Sequence, residues 1–204
     1  MPPQTSDAQQ RAVERQNARL GRSLADSYED RSLYDRCITR GVLGSILPVI
    51  YNNGNQIVQA PGYVAIRNEM IHETRVIPLD GRAHLSAVFH QYMGDSRGHW
   101  EGNTLVVETT NLTDRTGASL NGGGNVHSQA ARLVERFTRI DADTLRYEVT
   151  IDDPKTWARP WTIAFPWRRD PTYGLYEYAC NEGNYAISNI LSGARADDRA
   201  AQRK

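Results

Sequence analysis

Between residues 47 and 180, apolar and polar positions alternate in short runs. The runs are divided by clusters of turn residues: NNGN at 52–55, APG at 60–62, DGR at 80–82, EGN at 101–103 and DAD at 141–143. A period of two puts successive side chains on opposite faces of a strand. The pattern therefore predicts strands near 47–52, 55–60, 63–69, 71–79, 104–110, 132–140, 144–151, 160–168 and 174–180. Parallel pairing would need crossover helices that the middle of the chain lacks, so neighbouring strands are expected to be antiparallel. Eight or nine strands in close succession predict a mainly β fold, a single antiparallel up-and-down barrel whose closure removes exposed edges; a two-sheet β-sandwich is the alternative. Trp161, Ile163, Phe165 and Trp167 share one parity and are expected to face the core.

Outside this region the pattern changes. Residues 6–30 are rich in Ala, Arg, Gln and Glu behind a Ser6 or Asp7 cap, and read as a helix with a thin apolar stripe of Ala8, Ala12, Val13, Leu20 and Leu24. Such a helix would lie on the barrel or on a partner, which makes residues 1–34 an N-terminal arm and a candidate homodimer contact. NYAISNILSG reads as a short C-terminal helix ending at Gly193, with a charged tail beyond it. The expected organisation is an arm at 1–34, a barrel domain at 35–195 and a flexible tail at 196–204. Two long connections, 83–98 and 112–130, interrupt the meander where binding loops are commonly placed.

Composition narrows the partners. Among 204 residues, 24 basic side chains balance 24 acidic ones, which offers no overall attraction for nucleic acid or an anionic membrane. No apolar run reaches the roughly 20 residues of a membrane helix, so no membrane insertion is expected. Two cysteines, Cys37 and Cys180, rule out a Cys-rich zinc module and leave either one disulfide or two free thiols.

Candidate chemistry centres on GDSRGHWEGNTLVVETTN at 94–111, where Gly94, Gly98 and Gly102 are expected to gather Asp95, Arg97, His99 and Trp100 at the entrance of a strand. GDSRG fits the spacing of a serine nucleophile elbow. It leads into a turn and a strand, whereas an elbow leads into a helix, so Ser96 reads as a turn residue. His72-Glu73 opens like a zinc-protease helix, but Val76 stands where the second histidine belongs; no metal is implied. Arg67, Glu69, His72, Glu73 and Arg75 crowd two adjacent strands with charge on both faces, so one set should meet solvent or line a polar cavity; an exposed ladder of ion pairs is the plain alternative. Arg136, Trp100, Tyr147 and Tyr178 complete a mixed lining suited to a small organic molecule or a sugar.

Five segments carry a resemblance: DGRAHLS at 80–86, MGDSRGHWEGNTLVVETTNLTD at 93–114, VERFTRIDADTLRYEVTIDDP at 134–154, RPWT at 159–162 and YEYACNEGNYAISNILSGAR at 176–195. They resemble a large family of uncharacterised, usually exported, lipocalin-like bacterial proteins with an MGDSRGHWEG(N/D)TLVVET motif. The resemblance implies a lipocalin-like barrel and a periplasmic or secreted location, which in turn favours a Cys37–Cys180 disulfide; a cytoplasmic protein with reduced thiols is the alternative. The function expected is metal-free acid–base chemistry on a small organic or carbohydrate substrate, as in a lyase, with no cofactor. His72 or His99 would move the proton, Glu69 or Asp95 would orient the imidazole, and Arg75 or Arg136 would hold negative charge. A non-catalytic ligand-binding barrel and a structural assembly module are the rivals.

Overall fold

The computed structural model describes residues 1–49, 51–117 and 126–203, so the glycine-rich middle of the 112–130 connection lies outside the described residues. Eight strands form two antiparallel sheets. The smaller contains β1 (Asn55–Ala60), β2 (Tyr63–Asn68) and β3 (Thr74–Pro78) in that order. The larger is a meander of β4 (Asp95–Glu101), β5 (Thr104–Thr110), β6 (Arg132–Arg139), β7 (Thr144–Asp152) and β8 (Trp161–Arg168). Helices are few: α1 (Ser6–Asn17), α2 (Gly41–Ile46) and α3 (Tyr185–Ala201), with short 3₁₀ turns at Tyr28–Asp30 and Met70–His72.

The alternation read from sequence is the reason these strands share a core. Inward positions of the small sheet, Val64, Ile66 and Ile77, meet Leu105, Val107, Leu133, Phe137, Tyr147, Val149 and Ile151 in one cluster. Burial of each such aliphatic side chain contributes about 1.5–3 kcal/mol. Trp161, Ile163, Phe165 and Trp167 pack against that cluster from the outer strand β8, as their parity requires. Phe137, Tyr147 and Trp167 form an aromatic group with centroids 5.0–5.6 Å apart.

Several elements depart from the sequence pattern. DSRGHWE is a strand, β4, paired with β5 from Asp95↔Thr110 to Glu101↔Thr104 across a two-residue turn at Gly102. Its one glycine, Gly98, and Gly94 just ahead of it serve close packing. A Cβ at Gly98 would sit 2.9 Å from Ile77 and 2.8 Å from Leu79, so the absent side chain lets β4 pass beside the end of β3. Gly94 has φ 63°, and a Cβ there would lie 2.5 Å from the Thr110 carbonyl oxygen. Ser96 is accordingly a buried strand residue hydrogen-bonded to Thr109 Oγ1 at 2.8 Å. The stretches near 47–52 and 174–180, expected to be strands, are irregular in their described residues. The N-terminal helix stops at Asn17, ahead of a turn whose Gly21 has φ 77°; its stripe buries only Ala8, while Leu20 and Leu24 remain exposed. α3 instead continues through Gly193 to Ala201, anchored by Arg195, which donates to the Asp26 and Ala25 carbonyls at 3.0 and 3.3 Å.

α1 docks on its own chain. Thr5 caps it by accepting from the Ala8 N–H, and Arg11 donates to the Lys155 carbonyl and Thr156 hydroxyl. No helix among the described residues is long and apolar enough to cross a membrane.

Candidate functional site

Cys37 and Cys180 form a disulfide across 143 residues of chain, with 5.7 Å between their Cα atoms. This link brings segment 34–40 against segment 173–184, beside the turn that joins β2 to β3. A cavity of about 530 Å³ opens there, walled by Tyr34, Asp35, Asn52, Glu177, Tyr178 and Asn184 next to Cys180. Asn184 Nδ2 donates to the Asp35 carbonyl at 3.0 Å and approaches Cys37 Sγ at 3.1 Å, which ties the two walls together a second time.

Two phenols, Tyr34 and Tyr178, line this cavity, and a third, Tyr51, bonds to Tyr34. Tyr34 Oη lies 2.7 Å from Tyr51 Oη and 3.3 Å from Tyr178 Oη, and the Arg40 guanidinium stacks over the Tyr34 ring at 4.9 Å. The phenols are electrically unequal. Burial raises Tyr34 and Tyr178 above the ordinary phenol value, whereas the Tyr34 hydrogen bond, supported by Tyr178 and the charge of Arg40, lowers Tyr51. Burial pulls the Arg40 guanidinium down from its usual value, opposed by the three phenols. The arrangement can therefore pass a proton along three hydroxyls, with Tyr51 the most readily ionised of the three.

The turn beneath is strained. Ile71 and His72 both have left-handed backbones, at φ 58° and 46°, a conformation that costs about 1–3 kcal/mol per non-glycine residue. Buried Met70 and Ile71 hold it from one side, and the Asn68 N–H to Glu73 carbonyl bond of 2.8 Å closes it. Strain of this kind in an exposed His-bearing turn marks a position fixed by its surroundings. His72 Nδ1 lies 3.0 Å from the Tyr178 carbonyl, an acceptor, so Nδ1 carries the hydrogen and Nε2 is left as the basic nitrogen of the neutral ring. Glu69 is buried and accepts from Tyr173 Oη at 2.8 Å and from the Gly54 N–H at 3.2 Å. Glu73 accepts from Thr39 Oγ1 at 2.7 Å, and burial raises its carboxyl above the usual range.

The other expected site residues are dispersed. His72 and Tyr178 come together, but His99 sits on the exposed end of β4, 3.2 Å from Glu101. Its neighbour Gly98 packs against Ile77 and Leu79, at the far end of β3 from His72, so the length of β3 separates the two histidines. Asp95 does orient an imidazole, that of His84 at 2.9 Å. Burial would raise this carboxyl; donors from the Leu85 N–H, His84 and Arg97 outweigh it and hold the pKa low. Trp100 is exposed on β4, and Arg136 pairs with Glu101 at 2.7 Å. Arg75 and Tyr147 lie inside the core, where Arg75 makes a two-point ion pair with Glu135 at 2.6 and 2.8 Å and Tyr147 donates to the same carboxylate at 3.0 Å.

Sequence reasoning missed Tyr34, Arg40, Tyr51, Asn52 and Asn184. The signal was the cysteine pairing: once Cys37 joins Cys180, their flanking residues must share one wall. Among the described residues no group of His, Cys, Asp and Glu could hold a metal. No protein family, characterised protein or solved structure matches the chain.

Proposed function

We propose that the protein binds a small, hydroxyl-bearing organic or carbohydrate ligand in the disulfide-linked pocket. The observation that carries this reading is the convergence of two phenols, two asparagines and two carboxylates on one cavity of about 530 Å³, with the Tyr51 phenol hydrogen-bonded behind Tyr34. Phenol faces suit the apolar side of a sugar ring, and amides and carboxylates suit its hydroxyls. In this reading the two sheets are halves of a lipocalin-like barrel, the pocket lies at its rim, and the disulfide belongs to a periplasmic or secreted protein. Calorimetric titration with a panel of neutral mono- and oligosaccharides should give saturable heat that Tyr34→Phe and Tyr178→Phe weaken about tenfold. An unbroken absence of binding across sugars, sugar acids and small aromatic alcohols would sink the proposal.

A second reading, metal-free elimination by a lyase, is favoured by Tyr178, whose carbonyl fixes the His72 ring with Nε2 as acceptor while its phenol joins those of Tyr34 and Tyr51. His72 Nε2 would take a proton from carbon next to a carbonyl group, the electron pair would form a C=C bond as the neighbouring C–O bond breaks, and the Tyr51 phenol would protonate the departing oxygen. Appearance of the unsaturated product in ultraviolet absorbance, lost in Tyr51→Phe and His72→Gln with ligand affinity retained, separates catalysis from binding alone.

A further inference from the structure

A second cavity, of about 410 Å³, lies where the two long connections meet, and is lined by His90, Gln91 and Tyr92 from one and Thr113, Asp114, Arg115 and Gln129 from the other. We infer that it is a binding site for a small zwitterion, an α-amino acid or a molecule with the same paired ammonium and carboxylate groups.

The walls are preformed. Asn111 has φ 57° and its side-chain amide donates to the Leu85, Ser86 and Phe89 carbonyls at 3.3, 2.8 and 2.9 Å, which folds the first connection onto the end of β5. The Gln91 N–H donates to the Asn111 carbonyl at 2.9 Å and the Thr113 N–H to the Gln91 carbonyl at 3.1 Å, so the two linings are bonded to each other through their backbones. His90 Nδ1 lies 3.1 Å from the Leu112 carbonyl, an acceptor; Nδ1 therefore carries the hydrogen and Nε2 is an acceptor in the neutral ring.

Three features point to a ligand. The Thr113 hydroxyl oxygen is buried without a hydrogen-bond partner among the described residues, an arrangement that ordinarily has a bound partner. Asp114 and Arg115 lie side by side on this wall, and neither side chain makes an ion pair among the described residues, although charged residues on the neighbouring strands are paired. The lining thus offers one full positive and one full negative charge, flanked by an imidazole acceptor and a hydroxyl. A neutral ligand would engage neither charge. A simple anion or cation would meet one attraction and one repulsion, whereas a zwitterion places its carboxylate at Arg115 and Thr113 and its ammonium at Asp114 and His90.

The test monitors the His90 ring protons by NMR during titration with L-alanine, N-acetyl-L-alanine, L-alaninamide and glucose. L-Alanine should produce a saturable shift at least about tenfold tighter than either singly charged analogue, with glucose silent; each lost charge pairing is of the size that changes affinity tenfold. Arg115→Gln and Asp114→Asn, both at exposed positions, should each weaken alanine at least as much with unchanged circular dichroism, while Tyr178→Phe in the other cavity leaves it unaltered. No saturable shift with alanine, equal response to a singly charged analogue, or full affinity in Arg115→Gln overturns the inference.

Discussion

Two polar clusters of similar composition behave in opposite ways. In the interior, Arg75, Glu135 and Tyr147 bond to one another: both terminal guanidinium nitrogens reach the carboxylate oxygens, the phenol adds a third donor, and all three residues are buried, with Arg75 Nε left unpartnered among the described residues. Burial alone would lower the Arg75 guanidinium, but the charge and hydrogen bonds of Glu135 outweigh it and raise the pKa. Burial, reinforced by Glu135, raises the Tyr147 phenol, so the cation is locked on and the phenolate off. At the disulfide, Tyr34, Tyr51, Tyr178 and Arg40 also share hydrogen bonds and charge, but beside a cavity that Tyr34 and Tyr178 line. A closed cluster specifies packing, and an open one has hydroxyls left to meet a ligand. Residue type does not separate the two, since each contains an arginine and tyrosine.

The largest effect expected is at the open cluster's fastening. Replacing Cys37 and Cys180 together by Ser should lower stability by up to roughly 4–5 kcal/mol in the chain-entropy account, seen in denaturant unfolding, and should abolish pocket binding. If binding survives, the walls are held by the remaining contacts and the disulfide is only a stability device.

Close behind stands Arg75→Met, which strands the buried Glu135 carboxylate and should cost about 3–5 kcal/mol. The Arg75→Met, Glu135→Leu pair should recover most of it. Neither should change ligand affinity of the folded protein; a lost ligand response in the stable double variant would erase the division between closed and open clusters.

A smaller change, about tenfold in affinity or roughly 1.4 kcal/mol, is expected for Tyr178→Phe in calorimetry, with unfolding midpoints little moved. The unequal phenols supply a finer test. In an ultraviolet titration one tyrosine should ionise below the ordinary phenol range and Tyr51→Phe should remove that step, while Tyr34 and Tyr178 ionise above it.

The smallest effect is a pH dependence at neither cluster. Burial depresses the His127 imidazole, whose ring nitrogens sit 3.0 Å from Thr116 Oγ1 and 3.3 Å from the Ser128 carbonyl. Its unfolded pKa is about 6.5, so below that pH the unfolded chain binds the extra proton first. The stability from the neutral ring is fully present above about pH 6.5 and is lost as pH falls through the depressed native value. Unfolding midpoints measured across this range should show the slope, and His127→Gln should flatten it.

Local pattern was enough to define the strands with strong alternation. β1 and β5 have the limits read from pattern and turns, and the inward row of β8 was legible from parity, because a period-two burial preference is a local property. β4 was hidden because its Gly98, which resembles a turn signal, is there to let the end of β3 pass closely. The cysteine pair was visible as a candidate bridge, but which residues it gathers was not: Tyr34 and Arg40 are separated from Tyr178 by more than a hundred residues of chain, and their meeting is a product of the link. Likewise Arg75 and Glu69 read alike as charges within strands. The folded arrangement alone distinguishes them, pairing one at two points with Glu135 inside the core and setting the other under Tyr173 beside the strained turn, because satisfaction of a buried charge depends on partners that local pattern cannot supply.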